Sequence, residues 1–307
     1  MHIKTVIYLY IVFFALATNT HADEIPSFNI TEITTGVYVH QGKHQQVTSP
    51  DRDDIANIGF IVGQNCTAVI DTGGSLRIGQ ALREVIKKTT QVPVCYVINT
   101  HVHYDHLLGN TAFAEAKVKF VGHAKLRKAL AANQSFFRTS FTKEMRGFTG
   151  SIPPLDITVD NQTRLDLGGR ALILQTYITS HTNHDLTIYD EKTATLWTGD
   201  LLFMRRTPSA DGSYRNWLTI LQHLAKKKFD RVIPGHGPIS APWPTAANAQ
   251  ISYLQNLINE TREIIRNGGY IEDAIEKVGK SQKTKWVLFD RIHRRNVTRA
   301  FAELEWE

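Results

Sequence analysis

His101-Val102-His103-Tyr104-Asp105-His106 sets three imidazoles and a carboxylate within six residues. Neither a packed core nor a solvated face needs that density, whereas imidazole and carboxylate together suit zinc and related divalent ions. The run before it, Val94-Cys95-Tyr96-Val97-Ile98-Asn99-Thr100, is apolar and β-branched and predicts a buried strand. The cluster then lies on the loop at that strand's C-terminal end, the edge where open α/β sheets carry their sites.

Upstream, residues 28–33 and 37–41 alternate apolar and polar side chains and read as short strands, followed by a long polar loop over 40–57 on which His40 and His44 read as surface residues. Residues 58–62 and 67–70 are strands, Asp71-Thr72-Gly73-Gly74 is a sharp strand-to-helix turn, and Ser75 is the N-cap of a helix reaching about Lys88. Downstream, 118–121 reads as a strand and 125–133 as a helix. The stretch 135–149, with Phe136, Phe137 and Phe141, either lines a pocket or packs as a helix.

A second block of strands begins near Arg164 and continues through 171–178, 186–189 and 193–197. Ser213 caps a helix over 214–226, and Val232-Ile233 is a short strand that delivers His236. Residues 245–267 and 271–278 are helical by periodicity with Gly268-Gly269 as a stop, and 286–304 is an amphipathic helix whose purpose the sequence does not give. Two halves of strands followed by helices predict two sheets packed face to face with helices outside.

These residues resemble the metallo-β-lactamase superfamily of zinc hydrolases. H-x-H-x-D-H is its signature, and further matches follow in its order. They are Asp71 in Val69-Ile70-Asp71-Thr72-Gly73-Gly74, His181 in Ser180-His181-Thr182, Asp200 in Trp197-Thr198-Gly199-Asp200, and His236 in Pro234-Gly235-His236-Gly237. The resemblance implies an α/β fold, an αββα sandwich of two mixed β-sheets flanked by helices. It also implies two Zn2+ per chain, with His101, His103 and His181 on the first, Asp105, His106 and His236 on the second, and Asp200 bridging them. Asp105 and Asp200 become the acidic residues of the catalytic centre, Asp71 an outer carboxylate that orients ligand loops, and loop 40–57 a segment near the substrate. Each ligand has a rival reading: His184 in place of His181, an ordinary strand-end carboxylate for Asp200, and a structural turn for His236.

The resemblance extends to chemistry. Paired zinc ions lower the pKa of a shared water to about 7, so that hydroxide attacks a carbonyl without a separate protein base. The β-lactam-cleaving branch carries cysteine where Asp200 stands, so this ligand set is similar to that of the glyoxalase II type, which hydrolyses thioesters. The segments 54–60, 94–103, 196–203 and Ala241-Pro242-Trp243-Pro244 resemble the quinoprotein relay system zinc metallohydrolases, a periplasmic branch that accompanies quinoprotein dehydrogenases. The reading is a hydrolase of a small-molecule thioester, ester or lactone, after the glyoxalase II-like ligand set; the relay branch supplies no substrate and implies only the link to such a dehydrogenase system. The alternatives are a β-lactamase-like amide hydrolase and a non-catalytic metal-binding accessory protein. If the strands beginning near Cys66 and Cys95 are neighbours, as in the superfamily fold, an oxidising compartment lets the two cysteines pair; the alternative is two buried thiols.

With 307 residues and 42% hydrophobic content, one compact domain over 23–307 with a helical part from about 245 accommodates these elements. Residues 1–22 have the charged start, short apolar run and small-residue end of a signal peptide cleaved after Ala22, the alternative being an uncleaved anchor. No later segment is apolar enough to span a membrane, so the reading is an exported protein, periplasmic in a bacterium with two membranes. Removal of the leader takes Lys4 and lowers the formal charge from +6 to +5 (6 − 1). The basic clusters at 226–228 and 291–295 lack interleaved aromatics and read as solvated helix faces, which excludes a nucleic-acid groove.

Overall fold

The structure, a computed structural model, describes residues 28–46, 48–142, 144 and 152–307. The expected leader, 1–22, lies outside the described residues, as do 143 and 145–149 of the aromatic stretch. The strands are β1 (Thr31–Thr34), β2 (Val37–His40), β3 (Ile58–Val62), β4 (Thr67–Ile70), β5 (Val94–Ile98), β6 (Lys119–His123), β7 (Ile157–Val159), β8 (Gln162–Asp166), β9 (Ala171–Thr176), β10 (Leu186–Asp190), β11 (Thr195–Phe203), β12 (Arg231–His236) and β13 (Ala241–Pro242). β1 to β7 form one sheet in sequence order, antiparallel up to β4 and parallel from β4 to β7. The other sheet runs β13-β12-β11-β10-β9-β8, with only the β11–β12 pair parallel.

Alternation along the strands decides which faces meet. Val39, Ile61, Ile70 and Ile98 of the first sheet and Leu172, Leu174, Ile188 and Trp197 of the second share one buried cluster, the filling of a sandwich. The first sheet's outer face, with Phe60, Val69 and Val97, packs on Ile78 and Leu82 of α1 (Leu76–Thr89), next to the single turn α2 (Tyr104–Leu107), and on Leu126 and Leu130 of α3 (Leu126–Ser140). The second sheet's outer face packs on Trp217 and Leu221 of α4 (Tyr214–Leu224) and Tyr253 and Leu257 of α5 (Asn248–Arg266). α6 (Ile271–Lys277) and α7 (Phe289–Leu304) complete that layer, with Val297 and Ala300 buried in it. Two mixed sheets with helices on both outer faces are the αββα sandwich expected from sequence.

Local chemistry sets the ends of these elements. Ser75 and Ser213 cap α1 and α4, each hydroxyl accepting from the N–H three residues on, of Ile78 and Asn216, at 3.2 Å. α5 stops where Gly268 turns left-handed, at φ +71°. α3 continues beyond the expected 133 to Ser140 because Leu126, Leu130 and Phe137 stay on one buried face. Of the two readings of the aromatic stretch, its described part shows helix packing, and Phe136 and Phe137 also line a cavity.

Cys66, just ahead of β4, and Cys95, in the parallel neighbour β5, form a disulfide with Cα atoms 5.6 Å apart. The surface reading of His40 is corrected. His40 ends β2 and is buried, with its ring nitrogens 2.6 Å from Asp54 Oδ1 and 2.7 Å from the Asn29 carbonyl. His44 is half-buried, and its two ring nitrogens are enclosed without a hydrogen-bond partner among the described residues.

Candidate metal centre

Parallel pairing brings the site together. β4 and β5 end side by side at Asp71 and just before His101, while β11 and β12 carry Asp200 and His236 at the corresponding edge of the second sheet. His103 opens α2, which holds Asp105 and His106, and His181 lies on the loop between β9 and β10. Asp200 is not at a strand end, since β11 continues to Phe203. The β11–β12 register breaks on both sides of Gly199, whose φ is +50°, and such an irregularity re-aims the side chain that follows. Opposite it only glycine fits at 235, because a Cβ there would stand 2.0 Å from Asp200 Oδ1.

Two groups of donors result. Ligand atoms of His101, His103, His181 and Asp200 lie within 4.8 Å of one another, and so do those of Asp105, His106 and His236. Asp200 faces both groups: Oδ2 is 3.3 Å from His181 Nε2 and 3.3 Å from His236 Nε2, and Oδ1 is 3.2 Å from His106 Nε2. Asp105 Oδ2 is 3.4 Å from His236 Nε2 and 3.7 Å from His106 Nε2.

Outer hydrogen bonds assign the tautomer of every imidazole. His181 Nδ1 donates to the Ser209 carbonyl at 2.6 Å and His236 Nδ1 to the Ile55 carbonyl at 2.7 Å. His106 Nδ1 donates to Asp71 Oδ2 at 2.7 Å, and His103 Nε2 to Asp211 Oδ2 at 2.8 Å. Thr100 Oγ1 gives its proton to Asp71 Oδ2 at 2.7 Å and so accepts from His101 Nδ1 at 2.9 Å. With one proton per neutral ring, the five inward nitrogens all present lone pairs. His103 Nδ1 is then 3.0 Å from both His101 Nε2 and His181 Nε2, lone pair against lone pair. His106 Nε2 and Asp200 Oδ1 are likewise buried without a hydrogen-bond partner among the described residues. Converging acceptors with no donor between them fit cations, and two groups fit a binuclear metal site.

The electrostatics agree. Burial pushes the His101 imidazole well below its ordinary range, helped by the neighbouring His106, and pushes His181 down to about 3, so both rings are held neutral, as metal binding requires. Burial opposes charge on His106 as well, but the carboxylates of Asp200, Asp71 and Asp105 outweigh it and raise this ring. A cation held between those carboxylates would take the place of that proton. Burial also disfavours the Asp200 carboxylate, yet the imidazoles of His236, His106 and His101 hold it well below the usual range.

All seven expected ligands and Asp71 therefore meet at one sandwich edge. His184 does not join them: its Nδ1 is 3.0 Å from Thr182 Oγ1, and it lines a neighbouring cavity. Loop 40–57 packs on the centre, since Ile55 accepts from His236, Asn57 N donates to the Gly235 carbonyl at 2.7 Å, and the Arg52 carbonyl accepts from Tyr104 at 3.1 Å. Two acids escaped the sequence reading. Asp211 orients His103, and Asp185 fixes the His181 loop by accepting from Ser180 Oγ at 2.7 Å, Thr182 N at 2.8 Å and Thr182 Oγ1 at 2.6 Å. Thr182 three residues before Asp185 was a readable turn signal; Asp211 offered none.

Comparison with known proteins agrees with this geometry. The sequence model of the metallo-β-lactamase superfamily matches residues 51–236. No curated protein matches the chain. A metallo-β-lactamase from Pontibacter korlensis has a similar structure, with a TM-score of 0.62 at 22% identity over 75% of this chain and 99% of that one. The sec-alkylsulfatase Pisa1 from Pseudomonas sp. gives 0.68 at 16% identity over 90% of this chain, which spans 50% of the sulfatase. The metallo-β-lactamase FIM-1 from Pseudomonas aeruginosa, in its mono-zinc form, gives 0.59 at 18% identity over 76% of this chain and 98% of that one. At such identities these likenesses show the fold alone. The superfamily match, however, covers more than half of the sequence and takes in every candidate metal donor described above, so the chain belongs to the metallo-β-lactamase superfamily.

Proposed function

We propose that this metallo-β-lactamase-fold hydrolase is a binuclear zinc enzyme that cleaves the carbonyl carbon–heteroatom bond of a small thioester, ester or lactone. The observation that carries the reading is the placement of Asp200 between two donor groups, with buried acceptors that have no hydrogen-bond partner among the described residues. Nitrogen and carboxylate oxygen donors suit zinc. When bound, a zinc pair supplies Lewis acidity toward a carbonyl and acidifies water near neutral pH.

The chain's own residues do the rest. His101, His103 and His181 would hold one ion, Asp105, His106 and His236 the other, and Asp200 both. Asp71 and Asp211 keep the inward nitrogens deprotonated by taking the outward N–H groups. His101, His106 and His181 are buried while the His103 side chain is 27% exposed, so substrate approaches from the His103 side. An aspartate at 200 instead of cysteine favours thioester or ester chemistry over lactam chemistry.

The setting is part of the proposal. A leader-like start and the Cys66–Cys95 disulfide support export to an oxidising periplasm. Among the described residues no helix is long and apolar enough to cross a membrane. The resemblance to the quinoprotein relay branch supports a role beside a quinoprotein dehydrogenase system. The test is hydrolysis of an acyl-glutathione thioester and a chromogenic cephalosporin by the zinc-loaded protein, each with a chelator control. Chelator-sensitive thioester cleavage without lactam cleavage is expected. Preferential lactam cleavage overturns the substrate class, and no hydrolysis of either with two metals bound favours the accessory-protein alternative.

A further inference from the structure

Beside the first donor group lies a cavity of about 480 Å³, bordered by His103 and Asp211. Pockets of a few hundred Å³ accept small organic ligands, and about 150 Å³ is enough for benzene. One wall is aromatic: Tyr104 on α2, and Phe136 and Phe137 near the end of α3. Phe137 is buried, whereas Phe136 stands 52% exposed beside the cavity. Tyr104 is held in place by stacking on Phe141, ring centroids 4.1 Å apart, and by its bond to the Arg52 carbonyl.

The carboxylate on the polar side is already paired. Asp211 is already engaged by His103, Arg295 and Arg299, so it offers no open charge to a ligand. His184 is 4% exposed, and its tautomer follows from its neighbours. The Thr182 hydroxyl donates to Asp185 Oδ1 at 2.6 Å, which leaves Thr182 Oγ1 to accept from His184 Nδ1 at 3.0 Å. His184 Nε2 is therefore an acceptor, and it has no partner among the described residues. His184 lines the cavity, and a buried acceptor left without a partner beside it favours a ligand that donates to it.

We propose that this cavity is a subsite for an uncharged, ring-sized group that carries a hydroxyl or N–H, with the ring against Phe136, Phe137 and Tyr104 and the donor on His184 Nε2. The proposal rests on the hydrolase reading only for what that group is attached to, the acyl or leaving part of the substrate. His184 and Phe136 then determine specificity without holding metal.

The test is calorimetric titration of the zinc-loaded protein with 4-methylphenol and with its methyl ether, which lacks the donor. The phenol should bind about fivefold tighter, the worth of one neutral hydrogen bond. His184→Leu should abolish that preference, and Ala129→Trp, which fills the cavity from α3, should abolish binding of both. Equal affinities in the wild type, no binding of either ligand, or unchanged binding in Ala129→Trp overturns the proposal. So does a preference that survives His184→Leu, which would place the phenol oxygen on the metal. None of these readouts needs turnover. A protein that binds the phenol as described but hydrolyses nothing refutes only the hydrolase reading, and one that hydrolyses thioesters but binds neither ligand refutes only the subsite.

Discussion

His103 Nε2 donates to Asp211 Oδ2 at 2.8 Å, and the second oxygen of Asp211 faces Arg295 and Arg299 of α7. A metal-ligand candidate is thereby tied to the last helix of the chain. The hydrogen bond from His103 comes first, and with the charges of His103, Arg295 and Arg299 it outweighs burial and holds the Asp211 carboxyl well below the usual carboxylate range. The same helix is fastened to α4, where Glu303 Oε2 accepts from Tyr214 N at 2.8 Å.

Asp211→Asn keeps the shape and removes the charge. Partners that orient a metal-ligating histidine are worth about 10–100-fold in metal affinity. Competition with a chromophoric chelator should show the tighter-to-weaker shift for one of two zinc ions only. Equal affinities in wild type and variant would mean that Asp211 is a surface carboxylate with incidental contacts.

Asp200→Ala removes a side chain that faces both donor groups. Zinc content should drop below two per chain and turnover with it. Unchanged turnover at full occupancy would contradict the bridging role.

His184→Leu should leave zinc content at the wild-type level, because His181 and not His184 faces the donor groups. It should also flatten the acid dependence of stability. Burial, with the nearby His103 adding to it, depresses His184 from its ordinary 6.5 to about 3. The unfolded chain takes up this proton as pH falls below about 6.5, while the folded protein does not until about 3. The wild type therefore loses stability on acidification through that window, by about 1.4 kcal/mol per pH unit for this one group. Urea titrations at pH 7 and pH 5 compare the two slopes, and identical slopes would contradict the assignment.

Reduction of the disulfide closes no site but frees the loop between Cys66 and Cys95, which are 29 positions apart in sequence. Cys66→Ser with Cys95→Ser should cost about 2–4 kcal/mol. Chemical denaturation of the oxidised wild type and the double variant measures it, and equal stabilities would mean that the cysteines do not pair.

The metal centre was legible because its parts are local. H-x-H-x-D-H follows a strand, Asp71 stands before a glycine pair, Asp200 directly follows Thr198-Gly199, and His236 sits between glycines, so each fragment carries its own signal. What sequence could not show are contacts made by chain folding back. Asp211 meets His103 across 108 residues, and its arginines come from a helix whose pattern reads as a solvated face. His40 was misread for the same reason, since burial of this strand-end ring depends on Asp54 returning from the loop beyond it. α3 ran past its expected end because the burial of Phe137, two turns after Leu130, is decided by the sheet beneath it.

The most direct test of the account is the metal content of the protein, isolated with zinc and analysed for zinc against protein concentration. The account requires two ions per chain, both removed by a chelator and both restored on re-addition. A protein that retains no metal under these conditions, or that binds it equally well with His101, His181 and His236 replaced by alanine, would contradict it.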